Sequence, residues 1–304
     1  MNQKADYDIL MLGHLARDQI FVDGEGGDAP GGAVYYGSIA LSRLGYRVAV
    51  VTRLRQEDFG MLDALRAAGV AVFATPAAET SGIANYYRSD DMERRITRPL
   101  GFAGPIQEAD VPDVSARIYA IAPIIAGEVE LPLLKTLARR GPVALDVQGF
   151  VRVREGDNLV FKPWPEMAEG LAHVTYLKVD RAEAELLTGL TDLEAAARRL
   201  AAYGPREIIL TQSSGVTAFA DGAIYHAAFT PRSLAGRTGR GDTCFMTYLA
   251  RRLDHGPEDA VQWAAAVTTL KQEKPGPWDG DLAAVERLLA QRGYPSSEVR
   301  GPKS

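Results

Sequence analysis

The chain is poor in the features that mark disulfide-bonded, membrane-bound and nucleic-acid-binding proteins. It has one cysteine among 304 residues, which excludes an internal disulfide and favours a reducing compartment; we expect Cys244 to face the core. No apolar run reaches the length of about 18 residues that suggests a membrane helix, and the charged N-terminus lacks a signal peptide's apolar segment. The net charge of −5 argues against a nucleic-acid partner. We therefore expect a cytoplasmic protein that contacts neither membranes nor nucleic acids.

Several common catalytic motifs are also missing. There is no Gly-x4-Gly-Lys-Ser/Thr loop of a P-loop kinase and no Gly-x-Ser-x-Gly elbow of a hydrolase. The four histidines are scattered, which argues against a structural metal site. Residues 24–29 loosely fit a dinucleotide fingerprint, but a polar strand precedes them and Pro30 follows where a crossover helix should continue. A dinucleotide-dependent oxidoreductase is thus a minor alternative, which failure to bind NAD would remove.

Apolar strands alternate with amphipathic helices along most of the sequence. This alternation predicts an α/β fold of three layers, in which helices flank a mostly parallel central sheet. We expect one domain over residues 1–295 and a flexible tail at 296–304. Strands are predicted at residues 7–13, 14–23, 47–52, 70–73, 118–121, 143–146, 174–179 and 207–211, and helices at 31–44, 59–68, 131–139, 181–187, 193–202, about 243–255, 258–271 and 281–292.

Two hairpins interrupt this alternation. The runs at 216–220 and 223–228 flank Asp221-Gly222, a strong signal for a two-residue turn. The runs at 83–88 and 92–97 are polar and aromatic, as in an exposed ribbon. The glycines and proline at 24–30 predict a loop. We expect a small β lid formed by about residues 14–28 and 82–98, whose exposed strand edges favour a homodimer.

The stretch from Gly236 to Phe245 is the strongest chemical signal, because it contains three glycines within six residues and then an aspartate. A glycine turn that leads into a helix leaves backbone N–H groups unpaired, and these bind anions, phosphate above all. A carboxylate repels a bound anion, so Asp242 becomes useful there as a base that deprotonates a nucleophile attacking the anion. The alternative is that Asp242 only caps a helix that begins near Thr243.

Four segments resemble the ribokinase-like, or PfkB, carbohydrate kinases, and they occur in the family's order. Residues 238–245 resemble the second signature, Asp-Thr-x-Gly-Ala-Gly-Asp-x-Phe, and Gly31-Gly32 with the helix ending at Leu44-Gly45 resembles the first. Residues 58–60 match the Asp-x-Phe-Gly element, and residues 177–189 resemble the Lys-Pro-Asn-x-x-Glu segment. The resemblance spans roughly residues 7–280. It implies a ribokinase-like fold and an ATP-dependent, Mg²⁺-dependent kinase that phosphorylates a hydroxyl of a sugar or sugar-like molecule.

The resemblance also implies roles for individual residues. Asp242 would be the catalytic base, which needs no raised pKa because an aspartate is already ionised at pH 7, and it would lie beside an anion hole formed by the amides of Gly239, Arg240 and Gly241. The residues implied to bind the acceptor are Asp18, Gly31, Gly32 and Tyr36. The residues implied to bind ATP are Lys178, Asp180, Glu183, Thr211, Ser213, Gly215 and, in a late loop, Gly276, with Glu183 linked to Mg²⁺ through water.

Other polar residues are candidates because of their position alone. Asn85, Tyr87 and Arg98 lie on the predicted lid, where they contact the acceptor or face solvent. Gln148 and Arg152 follow the strand at 143–146, and ligands of α/β sheets lie at the carboxyl ends of strands. A polar loop with a helix or strand cap is nevertheless the favoured interpretation for these two residues.

The sequence departs from the family pattern at five positions, one of which lies near Ser213, where the family usually has a glycine after the strand that ends at Thr211. Gly236 stands in the region where the second signature begins with an acid, Arg240 replaces a small alanine, and Asp180 and Tyr36 each replace an asparagine. Tyr36 would fill the acceptor site or stack on a ring, so a cyclitol or a nucleoside is an alternative to an ordinary sugar. A non-catalytic sugar- or nucleotide-binding regulator is an alternative of another class, which the intact Asp242 argues against. The sequence leaves open whether a monovalent cation activates the enzyme.

Overall fold

Fifteen strands and ten α-helices make up the described part of the chain, residues 5–89 and 91–294 of a computed structural model. The side chains of residues 91–95 and the predicted tail at 296–304 lie outside that part. The strands are β1 Tyr7–Leu12, β2 Ala16–Val22, β3 Glu25–Gly31, β4 Val48–Arg55, β5 Ala71–Ala77, β6 Gly82–Arg88, β7 Asp91–Gly101, β8 Ala116–Ile121, β9 Val143–Asp146, β10 Arg152–Glu155, β11 Asn158–Phe161, β12 Tyr176–Asp180, β13 Glu207–Thr211, β14 Gly215–Ala220 and β15 Ala223–Ala228. The helices are α1 Ala33–Arg43, α2 Asp63–Ala67, α3 Leu131–Arg140, α4 Gln148–Val151, α5 Met167–Leu171, α6 Arg181–Thr188, α7 Leu193–Ala201, α8 Arg240–Arg252, α9 Pro257–Gln272 and α10 Leu282–Gln291. None of these helices is long and apolar enough to cross a membrane.

A nine-stranded sheet with the order β15-β14-β13-β12-β9-β8-β1-β4-β5 forms the centre of the fold. Neighbouring strands run parallel from β13 to β5, and β14 and β15 extend the sheet in antiparallel fashion. The β14–β15 turn is the predicted one, since Asp221 and Gly222 both have left-handed φ values, 51° and 78°. The prediction of a mostly parallel sheet is confirmed.

Two apolar layers cover the faces of this sheet. Ile9 and Met11 of β1 pack in one layer with α1, α8 and α9, and Leu10 and Leu12 pack in the other with α3, α6 and α7. A strand that is buried on both faces needs this continuous apolar run, because successive side chains point to opposite faces. Cys244 is fully buried in the first layer, as predicted.

A separate four-stranded sheet, with the order β3-β2-β6-β7, packs beside the central one. The prediction of a loop at 24–30 is wrong, because residues 25–31 form the edge strand β3. Glycine can form this strand because the pairing with β2 uses only backbone atoms. At Gly26 a side chain would not fit, since a Cβ there would lie 1.9 Å from Ile20 O. Arg17 of β2 also holds β3 through a 2.8 Å bond from its Nη2 to Asp28 Oδ2. The preceding strand is shorter than predicted, since it begins at Ala16.

Two further segments differ from the sequence prediction. The hairpin of β10 and β11 was not predicted; the chain reverses at Gly156, whose φ is 59°. The region predicted as one helix at 59–68 is a 3₁₀ turn, Gln56–Leu62, followed by the short helix α2. The β10–β11 hairpin matters for function, because it begins beside the ends of the central strands.

Candidate functional site

A cleft of about 200 Å³ lies where the carboxyl ends of the central strands meet the small sheet. Strands β9, β12 and β13 end at Asp146, Asp180 and Thr211, and α8 begins at the same edge. The predicted residues that line the cleft from the central sheet and α8 are Lys178, Asp180, Thr211, Gly239, Arg240, Gly241 and Asp242. Those that line it from the other side are Asp18, Gly32, Tyr36, Asn85, Tyr87, Gln148 and Arg152.

The glycine stretch forms the N-terminus of α8, as predicted. Gly239 is the N-cap residue and has a left-handed φ of 78°, and a Cβ on it would lie 2.2 Å from the Tyr36 ring. The Arg240 amide donates to Arg237 O at 3.1 Å. The amides of Gly241 and Asp242 therefore remain in the first turn for a ligand, where the helix dipole also favours an anion.

Asp242 is half-buried at the cleft and has no side-chain role in capping α8. Burial raises its pKa to about 6, and the negative charge of Asp146 adds to this shift, whereas Lys178 opposes it. The sequence argument needed no raised pKa, and the raised value is an addition to it. The carboxyl group is still mainly ionised at pH 7, and a base with a pKa close to the working pH is well suited to proton transfer.

Lys178 lies beside two carboxylates at the end of β12. Its Nζ is 3.1 Å from Asp146 Oδ1 and 3.6 Å from Glu183 Oε2. Burial alone would lower the pKa of Lys178, but Asp146 and Glu183 raise it above its ordinary value. Asp180 caps α6, because its Oδ1 accepts the Glu183 amide at 2.8 Å while Glu183 Oε2 accepts the Asp180 amide at 2.7 Å. An aspartate can replace the family's asparagine here because both are good N-caps.

The carboxylates of the site fit Mg²⁺ only as a companion of bound phosphate. Within residues 5–89 and 91–294, no three or more His, Cys, Asp or Glu side chains cluster as a metal site. Glu183 is 1% exposed and already engaged by the Asp180 amide and Lys178. Mg²⁺ keeps several of its waters and often binds through substrate phosphates, so a contact with Glu183 through water is compatible with this arrangement.

The opposite wall of the cleft presents buried polar groups from the small sheet. Asp18 is 7% exposed, and its Oδ1 accepts the Ile83 amide at 2.9 Å. A Cβ at Gly31 would lie 1.9 Å from Asp18 Oδ2, so only glycine leaves room for this carboxylate. Asn85 Oδ1 accepts the Thr97 hydroxyl at 3.0 Å. A carboxylate and an amide held on neighbouring strands are suited to binding several hydroxyl groups.

Gln148 and Arg152 also reach the cleft. The main-chain N–H of Gln148 donates to Asp146 Oδ1 at 3.1 Å, and Arg152 Nη2 donates to the side-chain Oε1 of Gln148 at 2.9 Å. Gln148 begins α4 and Arg152 begins β10, so both also stand at the start of an element, in keeping with the favoured interpretation. The unpredicted hairpin helps to place Arg152, whose guanidinium lies 5.7 Å from the centroid of the Phe161 ring on β11.

Besides Gly31 and the buried Glu183, four candidate residues do not line the cleft. Ser213 is exposed in the turn after β13, Gly215 begins β14, and Gly276 lies after α9 with a left-handed φ of 85°. Arg98 is exposed, with its guanidinium 5.9 Å from the centroid of the Tyr86 ring. Nucleotide binding by the first three stays a prediction.

Sequence reasoning missed two cationic residues at the site. Arg237 lines the cleft from within the glycine stretch. Lys271 lies next to the glycine stretch, with its Nζ 5.1 Å from the centroid of the Tyr36 ring. The same ring packs against Gly239. The signal for Lys271 in the sequence is a lone lysine in the largely apolar run of α9.

Comparison with known proteins agrees with this geometry. The sequence matches the pfkB family carbohydrate kinases over residues 18–281. The chain belongs to the pfkB family of carbohydrate kinases. As a pfkB kinase it is a phosphotransferase that acts on a hydroxyl group, which confirms the predicted family and enzyme class.

Similar proteins differ in donor and acceptor. A pyrophosphate-dependent kinase in the ribokinase family, complexed with a pyrophosphate analog and myo-inositol, is 37% identical with a TM-score of 0.84, covering 89% of this pfkB kinase and 97% of that chain. The cytidine kinase of Thermococcus kodakarensis is 24% identical over 255 residues, 80% of this chain and 87% of its own. Arabidopsis thaliana ribokinase complexed with ribose and ATP is 19% identical, with a TM-score of 0.74 over 93% of this chain and 98% of its own, and shares the fold.

Proposed function

We propose that this kinase transfers a phosphoryl group from inorganic pyrophosphate to a hydroxyl of a cyclitol such as myo-inositol. The observation that supports pyrophosphate as the donor is the presence of two arginines, Arg237 and Arg240, at the N-terminus of α8. Both line the same cleft as Asp242. Pyrophosphate concentrates its negative charge in a small volume, and guanidinium groups bind phosphate oxygens in pairs. The pyrophosphate-dependent relative at 37% identity supports both donor and acceptor.

ATP, the donor expected from the sequence, is the second candidate. Lys178, Asp180 and Thr211 lie at the phosphate end of the cleft, as an ATP kinase requires. However, Ser213, Gly215 and Gly276, which the resemblance places along the nucleotide, are not among its lining residues. Pyrophosphate needs no such extension, and we therefore favour it.

The chemistry assigns one task to each group in the cleft. Asp242 takes the proton of the acceptor hydroxyl as its oxygen attacks the transferred phosphorus, and the bond from that phosphorus to the donor's bridging oxygen breaks. The Gly241 and Asp242 amides, with Lys178, stabilise the charge on the transferred group. Asp18 and Asn85 orient the acceptor. Mg²⁺, held by the donor's phosphate oxygens and in contact with Glu183 through water, would neutralise further charge.

We further propose that the chain is one domain whose small sheet serves as a lid and as a dimer interface in a cytoplasmic enzyme. Closure of such a lid excludes water from phosphoryl transfer. Tyr86, Ile96 and Leu100 of this sheet are 38%, 63% and 46% exposed, and apolar surface of this kind is typical of protein contacts. A dimer mass in sedimentation equilibrium would support the interface, and a monomer at micromolar concentration would exclude it.

A donor assay tests the proposed reaction directly. The enzyme is incubated with Mg²⁺, myo-inositol and either pyrophosphate or ATP, and the inositol phosphate is followed by ³¹P NMR. We expect kcat/KM for pyrophosphate to exceed that for ATP by more than about tenfold, which corresponds to about 1.4 kcal/mol. A preference for ATP would overturn the donor assignment, and faster turnover of cytidine or ribose in the same assay would overturn the acceptor.

A further inference from the structure

A buried lysine lies directly behind the anion-site loop. Lys271, in the last turn of α9, is 2% exposed. Its Nζ donates to the main-chain oxygens of Gly236 and Thr238, on either side of Arg237. Within the described residues it forms no salt bridge, so its ammonium group is held by main-chain carbonyls, as a bound cation would be.

The loop is fastened to the end of α9 at this point. The Gly236 amide donates to Gln272 O at 2.8 Å. A Cβ at Gly236 would lie 1.6 Å from Lys274 O, which gives a physical reason why an acidic residue is missing from this position. The main-chain oxygens of Gly236 and Thr238 both accept from Lys271 Nζ, so the place where this atom lies suits one positive charge.

Lys271 is charged at neutral pH. Burial lowers its pKa to about 8, and the carboxylate of Asp242 opposes the shift. The two carbonyl contacts also favour the protonated form. The same positive charge lowers the pKa of Asp242, so the lysine acts on the base as well as on the loop.

We propose that Lys271 is a built-in cation of the anion site, which occupies the place of a monovalent cation and makes the kinase independent of added K⁺. Main-chain carbonyls can replace the hydration shell of K⁺, and an ammonium group takes the same ligands. Lys271 is a positioning residue, because it acts through the loop from Gly236 to Thr238 and through its charge. The inference rests on the kinase activity but not on the choice of donor.

The first test compares cations at constant ionic strength. Wild-type turnover should be the same within about twofold in K⁺, NH₄⁺, Na⁺ and N-methylglucamine salts. Lys271→Ala should lose about 10-fold to 100-fold in kcat without K⁺, as expected when a preorganised anion site is disturbed, and K⁺ or NH₄⁺ should restore most of it with little change in the acceptor KM. Lys274→Ala is the matched control, since the Lys274 side chain is 71% exposed just beyond the same helix end and, within the part of the chain that the structure describes, pairs with Asp279 alone.

The second test needs no catalysis and remains valid if the proposed donor or acceptor is wrong. K⁺ should raise the Tm of Lys271→Ala relative to N-methylglucamine, but not the Tm of the wild type or of Lys274→Ala. If Lys271→Ala does not fold, Lys271→Gln undergoes both measurements. The proposal would be overturned if K⁺ stimulated the wild type, or if K⁺ changed neither the turnover nor the Tm of the Lys271 variant.

Discussion

The two walls of the cleft are built in different ways. The donor wall consists of the N-terminus of α8 and the ends of β12 and β13. Lys178 pairs with Asp146 of β9, and Lys271 of α9 binds the loop that precedes α8. The acceptor wall gathers Asp18 and Asn85 from the small sheet and Arg152 from the start of a hairpin. The groups that we propose to bind phosphate are thus held by the main fold, whereas Asp18, Asn85 and Arg152, which we propose to face the acceptor, lie on added segments. Such a division lets one reaction serve different acceptors.

Among substitutions in the two walls, we expect the largest loss of kcat at Asp242, in the donor wall. Asp242→Asn should lower kcat by about 10² to 10⁴, the usual contribution of a general base, and leave the acceptor KM within about threefold. The asparagine keeps the size of the side chain but cannot accept the proton. Initial rates over a range of acceptor concentrations give both constants. Turnover within tenfold of the wild type would show that Asp242 is not the base.

The same variant should be at least as stable as the wild type. The pKa of Asp242 is raised from 3.8 to about 6, so its ionised form is disfavoured in the folded protein. The protonated carboxyl group therefore contributes to stability at low pH, and this contribution is lost as the pH rises through 6. Asparagine removes this cost, which is at most about 3 kcal/mol and smaller for a group that faces an open cleft. We therefore expect an equal or higher Tm at pH 7.5. A much lower Tm would indicate that the loss of turnover reflects misfolding.

The two walls were also unequally predictable from the sequence. Asp242, Lys178 and Thr211 lie in continuous motifs or at ends of apolar strands, so local patterns located them. The sequence left open whether Arg152 faces the site, because its position depends on a hairpin whose strands pair through the backbone. Lys271 was missed for another reason: its partners are main-chain carbonyls 33 and 35 residues away, and these leave no pattern of residue types.

A paired substitution sharpens the contrast between the walls, with smaller effects. Asp18→Asn should raise the acceptor KM by about 10-fold to 100-fold, because a charged hydrogen bond of about 1.5–3 kcal/mol is lost, while the donor KM stays nearly constant. Arg240→Gln should do the reverse, raising the donor KM by a similar factor. Two-substrate initial-rate kinetics measure both constants. If either variant changed both KM values equally, the division between the walls would be refuted.

The smallest expected effect lies in the pH dependence of kcat. Since Asp242 must be ionised, turnover should fall as the pH drops through about 6, the raised pKa of this base. Asp18→Asn, on the acceptor wall, should leave the midpoint unchanged, and buried His14 should not contribute, because burial lowers its pKa.

Lys271→Ala in N-methylglucamine should move the midpoint upward by less than about one unit, since one nearby positive charge is lost. Addition of K⁺ should move it back. A midpoint near 4 would contradict the burial of Asp242, and a shift that K⁺ fails to reverse would separate the charge of Lys271 from its anchoring of the loop.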